Sequence, residues 1–173
     1  MMDQASTAVV GCGYWGRNLV RNLRALGALR AVVESDAAAQ GQARELAPGV
    51  PVLPGLEAAL EDPAVRAVMI ATPAESHYAL ARRALEADRD VFVEKPLTIR
   101  VPESRELVAL AARRQRILMV GHLLEYHPAI RRIHQLIGSG ELGKLYYIIS
   151  NRVNLGKIRT EENALWSFAP HDI

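Results

Sequence analysis

The chain has a single cysteine, no long apolar run and no extended basic tract. Cys12, alone among 173 residues, excludes a disulfide framework and metal sites built from several thiolates. No apolar stretch approaches the roughly eighteen residues that a membrane-spanning helix needs. The basic cluster of Arg113, Arg114 and Arg116 falls at a predicted helix end, so nucleic-acid binding is not expected. With 50% hydrophobic and 23% charged residues and a formal charge of +2, the composition indicates a soluble globular protein.

The amino terminus lacks the features of a targeting segment. Residues 1–7 are polar and acidic rather than basic and lead directly into an apolar run, so we expect no signal peptide and a cytoplasmic location. The five histidines have no carboxylate or thiolate at ligand spacing, so no metal site is expected. Cys12 lies in a glycine-rich stretch, where a small buried filler is favoured over a reactive thiol.

The sequence does contain a regular alternation of apolar runs and amphipathic segments. The apolar runs predict six strands, and the segments between them predict helices. The expected strands cover residues 8–10, 29–33, 52–53, 67–70, 91–93 and 117–120, and the expected helices cover residues 16–26, 37–47, 55–62, 76–87 and 102–114. Near-continuous apolar strands separated by helices indicate an α/β fold with a doubly wound parallel sheet that is covered on both faces.

The pattern changes after Gly121, so the expected domains are residues 1–122 and residues 123–173. Pro128 suits the start of a helix, and residues 145–154 form the longest β-prone run, which predicts a strand. About fifty residues are too few to bury the face of a sheet alone. We therefore expect residues 123–173 to be the incomplete start of a second α/β domain for substrate binding and oligomerisation, in a truncated enzyme or one that uses a partner's surface.

Three glycines follow the first predicted strand in the pattern G-x-G-x-x-G. Gly11 permits a tight turn, Gly13 lets the backbone approach a pyrophosphate, and Gly16 allows close packing of the next helix. Glu34 ends the second strand, where its carboxylate can accept hydrogen bonds from the adenine ribose, and Asp36 is the reserve candidate. A carboxylate there repels a 2′-phosphate, which favours NAD over NADP. A glycine turn beside a solvated glutamate is the alternative, but strand, helix and acid in register favour a dinucleotide-binding Rossmann domain.

Other unusual residues follow the predicted strands at their carboxyl ends, where open α/β sheets bind ligands. Thr72 and Pro73 form a turn after the fourth strand and are expected to contact the cofactor. Ser76 is predicted to cap the next helix. His77 shares a helix face with small and apolar residues, so a packed histidine and a functional histidine are equally good interpretations.

The stretch VFVEKPL, residues 91–97, ends the fifth strand with Glu94, Lys95 and Pro96. Successive strand side chains point in opposite directions, so Lys95 need not pair with Glu94. Pro96 cannot continue a central ladder and fixes the local backbone, through a cis bond in one interpretation, so the amine is expected to project beside the bound dinucleotide. A solvated loop lysine is the alternative, but the position at a strand end favours a functional Lys95.

Together, GCGYWGRN, ATPAESHYALARRALEA and VFVEKPL resemble the Gfo/Idh/MocA oxidoreductases, over the whole chain. The resemblance implies a nucleotide-binding domain followed by an α/β domain with a large open sheet that also serves as an oligomer interface. It implies that Lys95 touches both cofactor and substrate, and that His171 is the general base. Where the family usually has an aspartate four positions earlier, this chain has Ser167. The residues expected to contact the cofactor are Gly11, Gly13, Tyr14, Trp15, Gly16, Glu34, Asp36, Thr72, Pro73, Glu94, Lys95 and Pro96.

The same segments, with GHLLEYHPAI and NRVNLGKIRTEENALWSFAPHDI, are similar to the branch that oxidises nucleotide sugars, notably UDP-N-acetylglucosaminuronate at C3. That likeness implies hydride transfer from the sugar C3 to NAD, with His171 or Lys95 taking the hydroxyl proton. Asn154, Lys157 and Arg159 are expected to meet the substrate's carboxylate or diphosphate, with ordinary surface charge as an equal alternative. A polyol or free-sugar dehydrogenase of the same family and a truncated NAD-binding module without turnover stay open as alternatives, and a homo-oligomer is expected.

Overall fold

The computed structural model describes residues 5–151, and the chain forms two compact units, Met1–Gly121 and His122–Ile173. The strands of the first unit are β1 (Thr7–Val10), β2 (Leu29–Val33), β3 (Val52–Leu53), β4 (Ala67–Ile70), β5 (Asp90–Val93) and β6 (Leu118–Val120). Its helices are α1 (Gly16–Ala25), α2 (Ala37–Leu46), α3 (Leu56–Leu60), α4 (Ala74–Glu86) and α5 (Val101–Arg114). The second unit contains a 3₁₀ turn, Leu123–Tyr126, and helix α6 (Pro128–Gly138). None of the helices in the described range is long and apolar enough to cross a bilayer.

The six strands form one sheet in the order β3-β2-β1-β4-β5-β6, and every neighbouring pair is parallel. The predicted doubly wound parallel sheet is therefore confirmed. The strand order reverses between β1 and β4, which is where open α/β sheets bind ligands. Pairing of Val10 with Ile70, and of Ile70 with Val93, brings the carboxyl ends of β1, β4 and β5 level with one another.

Alternate residues of the strands supply two apolar cores, one on each face of the sheet. On one face, Val10 and its neighbours pack with Leu85 of α4 and Leu107 of α5, both fully buried. On the other face, Val9 packs in a cluster that includes Val20 of α1. Burial of one such leucine or valine side chain contributes about 1.5–3 kcal/mol relative to exposure. The two cores fix the sheet between its helix layers and so hold the ends of the strands in place.

Helix α4 begins at Ala74 rather than at residue 76. Pro73 occupies the N-cap position with φ −58° and ψ 144°, an extended conformation from which a helix can start at the next residue. Ser76 lies inside the first turn, where its hydroxyl donates to the Pro73 carbonyl oxygen over 2.7 Å. The prediction that Ser76 caps this helix is therefore wrong.

Residues 145–151 of the second unit form no strand, so the strand predicted for residues 145–154 is wrong over its described part. The side chains from Tyr146 to Ile149 are 74–79% exposed. A strand requires a neighbour that supplies backbone hydrogen bonds, and within residues 5–151 no segment pairs with this one as a strand. Aromatic and β-branched composition identified a run suited to a sheet, but composition alone does not supply the partner.

Candidate functional site

Five residues lie directly beyond the carboxyl ends of the strands, and the backbone ladder of the sheet continues through each of them. The N–H groups of Gly11, Glu34, Ala71, Glu94 and Gly121 donate over 2.8–2.9 Å to the carbonyl oxygens of Val33, Leu53, Val10, Ile70 and Val93, respectively. These hydrogen bonds align the starts of five loops along one edge of the sheet. The structure thereby brings the glycine loop, Glu34, the Thr72 turn and the Lys95 segment to a single rim.

The three glycines of the loop meet different spatial demands. Gly11 has φ +90°, and a Cβ there would lie 2.9 Å from both the Ala71 carbonyl oxygen and the Thr72 Cγ2. A Cβ at Gly16 would overlap the Gly11 carbonyl oxygen, so only glycine lets α1 approach the loop this closely. A Cβ at Gly13, by contrast, would meet nothing within 4 Å. Gly11 and Gly16 are therefore needed by the fold itself, whereas Gly13 leaves open space beside the loop.

Helix α1 begins beside this open space, with Trp15 at its N-cap position. No side chain caps the helix, and its first turn contains no acidic residue. Backbone N–H groups and the positive end of the helix dipole are therefore not neutralised by a side chain of the helix itself. A glycine loop that leads into a helix N-terminus of this kind suits a pyrophosphate. The residues present thus fit the central part of a dinucleotide.

Glu34 has both carboxylate oxygens held by backbone donors. Oε2 accepts a hydrogen bond from the Cys12 N–H over 2.8 Å, and Oε1 accepts one from the Asp36 N–H over 3.1 Å. Each carboxylate oxygen has further acceptor capacity, so ribose hydroxyls can still donate to it. The Asp36 carboxylate instead accepts from the Ala39 N–H over 2.8 Å and caps α2. This arrangement favours Glu34 over Asp36 for ribose recognition.

His77 is 1% exposed and connects the loops that follow β4 and β5. Its Nδ1 lies 2.7 Å from the Pro96 carbonyl oxygen, and its Nε2 lies 2.9 Å from the Thr72 carbonyl oxygen. The Thr72 hydroxyl is itself 2.7 Å from the Ser76 hydroxyl, so helix α4 holds the turn at a second point. Of the two interpretations of His77, the packed one describes its environment. A ring this buried, with each nitrogen within 2.9 Å of a backbone carbonyl oxygen, is placed to hold loops rather than to reach a substrate.

The segment of Glu94, Lys95 and Pro96 follows β5 at the same rim. Glu94 is 9% exposed, and its Oε1 accepts a hydrogen bond from Trp15 Nε1 over 2.6 Å. Lys95 is partly buried, Pro96 is buried, and the peptide bond between them is cis. The tryptophan of the glycine loop is therefore bonded to the residue that directly precedes the lysine.

Cys12 and Tyr14 occupy contrasting environments in the glycine loop. Cys12 is fully buried, and burial together with the Glu34 carboxylate raises the pKa of its thiol, against a smaller opposing effect of Arg17. A thiol that stays protonated is a poor nucleophile, which agrees with a filler role. Tyr14 is 88% exposed, so its ring is accessible to a molecule at the rim. Across residues 5–151, no three His, Cys, Asp or Glu side chains are arranged to hold a metal ion.

Four predicted site residues lie outside the described residues: Asn154, Lys157, Arg159 and His171. Conversely, sequence reasoning missed the Trp15–Glu94 hydrogen bond and the role of Gly121. A Cβ at Gly121 would lie 3.0 Å from Glu94 Oε2 and 3.0 Å from Phe92 Cζ, so glycine makes room there for the carboxylate. The signal available in the sequence was the position of Gly121 directly after the last strand.

A family model described as an oxidoreductase family with an NAD-binding Rossmann fold, GFO_IDH_MocA, matches residues 5–122. The chain belongs to this family. The match includes all six strands and confirms the resemblance carried by the glycine loop, the Thr72 turn and VFVEKPL. NAD is accordingly the cofactor of this Gfo/Idh/MocA domain, as the glycine pattern and Glu34 predicted.

Relatives of this Gfo/Idh/MocA chain include sugar and polyol dehydrogenases. It is 34% identical to inositol 2-dehydrogenase of Corynebacterium glutamicum (strain R), over 84% of this chain and 44% of that protein. It is 33% identical to UDP-N-acetylglucosamine 3-dehydrogenase of Acidithiobacillus ferrooxidans, over 78% of this chain and 42% of that protein. The crystal structure of GenD2 from gentamicin A biosynthesis, in complex with NAD, is similar with a TM-score of 0.74 and 33% identity, over 82% of this chain and 41% of that chain. The chain thus spans about half the length of the curated relatives that it matches.

Proposed function

We propose that this chain is the NAD-binding part of a sugar dehydrogenase, which transfers a hydride from a hydroxyl-bearing sugar carbon to NAD. The observation that carries the proposal is the position of Lys95 at the carboxyl end of β5, beside β4 and the reversal of strand order. The glycine loop follows β1, the other neighbour of β4. We assign the adenine ribose to Glu34, the pyrophosphate to the loop around Gly13, and the nicotinamide end to the Lys95 segment.

Oxidation of a sugar alcohol removes a hydride from the carbon and a proton from the oxygen. NAD, held by the glycine loop and Glu34, would supply the acceptor for the hydride. The protein has to manage the proton, and we assign this task to Lys95, since a neutral amine accepts a proton and an ammonium group stabilises the alkoxide. His171, which lies outside the described residues, is the second proposed proton acceptor, on the strength of the family resemblance.

The substrate that we propose is a nucleotide-linked uronic acid, oxidised at C3. The similarity to a UDP-N-acetylglucosamine 3-dehydrogenase supports a nucleotide sugar. Asn154, Lys157 and Arg159 would supply donors and positive charge for its carboxylate or diphosphate, although the structure does not describe them. A polyol is the second candidate, because the identity to inositol 2-dehydrogenase is 34% and that to the UDP-sugar enzyme is 33%.

The assembly that we propose is a homo-oligomer in the cytoplasm. Support for self-association comes from the apolar side chains of residues 145–149, which are 49–79% exposed in the second unit. Contiguous exposed apolar surface commonly marks an interface between proteins. Sedimentation of the chain at several concentrations tests this assembly, and a monomer at every concentration would contradict it.

The experiment combines a binding measurement with a substrate comparison. Fluorescence titration of NADH measures cofactor binding, and NADH formation with UDP-N-acetylglucosaminuronate, UDP-N-acetylglucosamine and myo-inositol measures turnover. Saturable binding with turnover of a UDP-sugar supports the proposal. Preferred oxidation of inositol would identify a polyol as the substrate. Binding without turnover of any of the three compounds would support an NAD-binding module. Absence of NADH binding contradicts the whole assignment.

A further inference from the structure

Glu94, which directly precedes Lys95, is held by a hydrogen bond from the glycine loop and lies beside Gly121. Its carboxylate is almost removed from water, and a buried charge needs hydrogen-bond donors to be stable. Trp15 supplies one, since its indole N–H donates to Oε1 over 2.6 Å, and a hydrogen bond to an ionised acceptor is stronger than one between neutral groups. The Cα of Gly121 leaves room for Oε2 that any side chain would fill. The glycine loop therefore holds the residue that precedes Lys95, in space that Gly121 leaves open.

Pro96, which directly follows Lys95, is held by His77 of helix α4. The Pro96 carbonyl oxygen lies 2.7 Å from His77 Nδ1, and the opposite nitrogen of the same ring lies 2.9 Å from the Thr72 carbonyl oxygen. Carbonyl oxygens only accept, so the ring donates from whichever nitrogen carries a proton. His77 belongs to the buried face of α4, and its ring cannot swing away without leaving a polar group unsatisfied.

The segment beyond Pro96 is also secured. Thr98 is 4% exposed, and its hydroxyl donates to the Arg100 carbonyl oxygen over 2.8 Å and lies 2.7 Å from the Ser104 hydroxyl of α5. The backbone that carries Lys95 is therefore held before, directly after and further beyond the lysine. A lysine side chain is a flexible four-carbon stem, so the position of its Cα decides which atoms the amine can reach.

From these contacts we propose that Trp15 and His77 are positioning residues, which hold the Lys95 segment from two sides and thereby fix the reach of its amine towards the nicotinamide end of NAD. The inference rests on the proposed function, since it takes Lys95 as the group beside the cofactor. Neither residue acts on the substrate in this account. Trp15 acts through Glu94, and His77 acts through Pro96. A displacement of about 1 Å at a reacting group can cost about a hundredfold in rate.

The test measures how well bound NAD shields Lys95 from acetic anhydride in the 173-residue chain. Peptide mass spectrometry gives the acetylation rate of Lys95 with and without saturating NAD, and Lys144 in the same chain is the internal control. In the wild type, NAD should slow acetylation of Lys95 about tenfold and leave Lys144 unchanged. In Trp15→Phe, which removes the N–H and keeps an aromatic ring, the protection measured at NAD concentrations that saturate this variant should fall to about twofold, whatever its affinity for NAD.

Two substitutions of His77 test its contact to Pro96 and its contact to Thr72 separately. Asn places an amide donor near the position of Nδ1, and Gln places one near Nε2. His77→Asn should keep more of the protection than His77→Gln, because the Nδ1 contact is the one to Pro96. His134→Gln makes the same chemical change at an exposed histidine of the second unit and should protect Lys95 like the wild type. Thermal unfolding of every variant identifies any loss of folding, and Trp15→Phe tests the proposal if the buried His77 does not tolerate replacement.

The results distinguish a failure of the positioning role from a failure of the proposed function. Full protection of Lys95 in NAD-saturated Trp15→Phe and His77→Gln overturns the positioning role and leaves the function intact. Binding of NAD to the wild type without protection of Lys95 overturns both, because the lysine then lies away from the cofactor. Where turnover is measurable, kcat of Trp15→Phe and of His77→Gln at saturating NAD should fall at least about tenfold. A loss confined to KM for NAD overturns the positioning role.

Discussion

The backbone N–H of Cys12 donates a hydrogen bond to Glu34 Oε2 over 2.8 Å, although the two residues are 22 positions apart. This contact ties the glycine loop after β1 to the end of β2. Glu34 therefore combines two tasks, since it orders the loop that is suited to a pyrophosphate and presents acceptors at the place assigned to the ribose. Its removal should affect both parts of the dinucleotide site.

Replacing Glu34 with alanine should weaken NAD binding about tenfold or more, since hydrogen bonds to a charged acceptor contribute about 1.5–3 kcal/mol. NADP should lose less, because the same substitution also removes the repulsion between the carboxylate and the 2′-phosphate. NADH and NADPH titrations of the variant measure the two effects. Glu45→Ala removes an exposed carboxylate from α2 and should bind NAD like the wild type.

An equal loss for both cofactors would contradict ribose recognition by Glu34. Asp36→Ala distinguishes the reserve candidate. Because Asp36 caps α2, its loss should lower the free energy of unfolding by about 1 kcal/mol and change NAD affinity little. A large loss of NAD affinity in Asp36→Ala, with no loss in Glu34→Ala, would show that Asp36 rather than Glu34 contacts the ribose.

The open space at Gly13 separates a binding role from a folding role within one loop. Gly13→Ala should leave the free energy of unfolding within about 0.5 kcal/mol of the wild type, since its Cβ meets nothing within 4 Å. NADH affinity should nevertheless fall about tenfold, because the methyl group occupies the approach of the pyrophosphate. Denaturant unfolding and NADH titration measure the two quantities.

Gly16→Ala is the matched contrast, with the same added methyl group three residues later. Its Cβ would overlap the Gly11 carbonyl oxygen, so we expect a loss of about 3 kcal/mol in stability or no folded protein. Equal stability of Gly13→Ala and Gly16→Ala would show that the loop relaxes around the added methyl group. Gly16 would then not be required by the fold, and the distinction between a folding role and a binding role would be wrong. Unchanged NADH affinity in Gly13→Ala would count against the pyrophosphate assignment.

Asp62 provides a pH-dependent contribution to stability away from the site. Its Oδ2 accepts a hydrogen bond from Arg30 Nε over 2.8 Å, and its Oδ1 accepts one from the Ala64 N–H over 2.9 Å. The hydrogen bond from Arg30, and then that from Ala64, lower the pKa of the carboxyl group below its ordinary value of 3.8. The stabilisation is therefore present above that value and is lost as the pH falls through the lower pKa of the folded state.

Asp62→Asn keeps an acceptor for Ala64 and removes the charge. Urea unfolding should show a less stable variant near neutral pH and no difference from the wild type in strong acid. In an Arg30→Gln background the same substitution should cost less, which measures the coupling of the pair. A deficit of equal size at both pH values would mean that the lost charge is not responsible.

The elements at the rim could be predicted from sequence because each leaves a local signature. Six apolar runs gave the strands, and the glycine spacing and the acid after β2 indicated the dinucleotide loop. The bond between Trp15 and Glu94 could not be predicted in this way, since the residues are 79 positions apart and neither has a partner visible in its own segment. His77 was left undecided for the same reason, because its two acceptors belong to the backbone of other loops. The strand predicted near Tyr146 was wrong over its described part because propensity does not provide a neighbour.

Lys95→Met tests the central residue of the proposed chemistry, since methionine keeps an unbranched side chain and removes the amine. NAD affinity should stay nearly unchanged, because the ribose and pyrophosphate contacts lie elsewhere on the rim. The rate of sugar oxidation should fall about 10²–10⁴-fold, the range expected when a group that transfers a proton or stabilises an alkoxide is lost. Lys144→Met, at an exposed lysine of the second unit, is the matched control and should oxidise the substrate like the wild type. Because only the chemical step should change, single-turnover rates at saturating NAD are the decisive measurement, and an unchanged rate in Lys95→Met would remove the lysine from the mechanism.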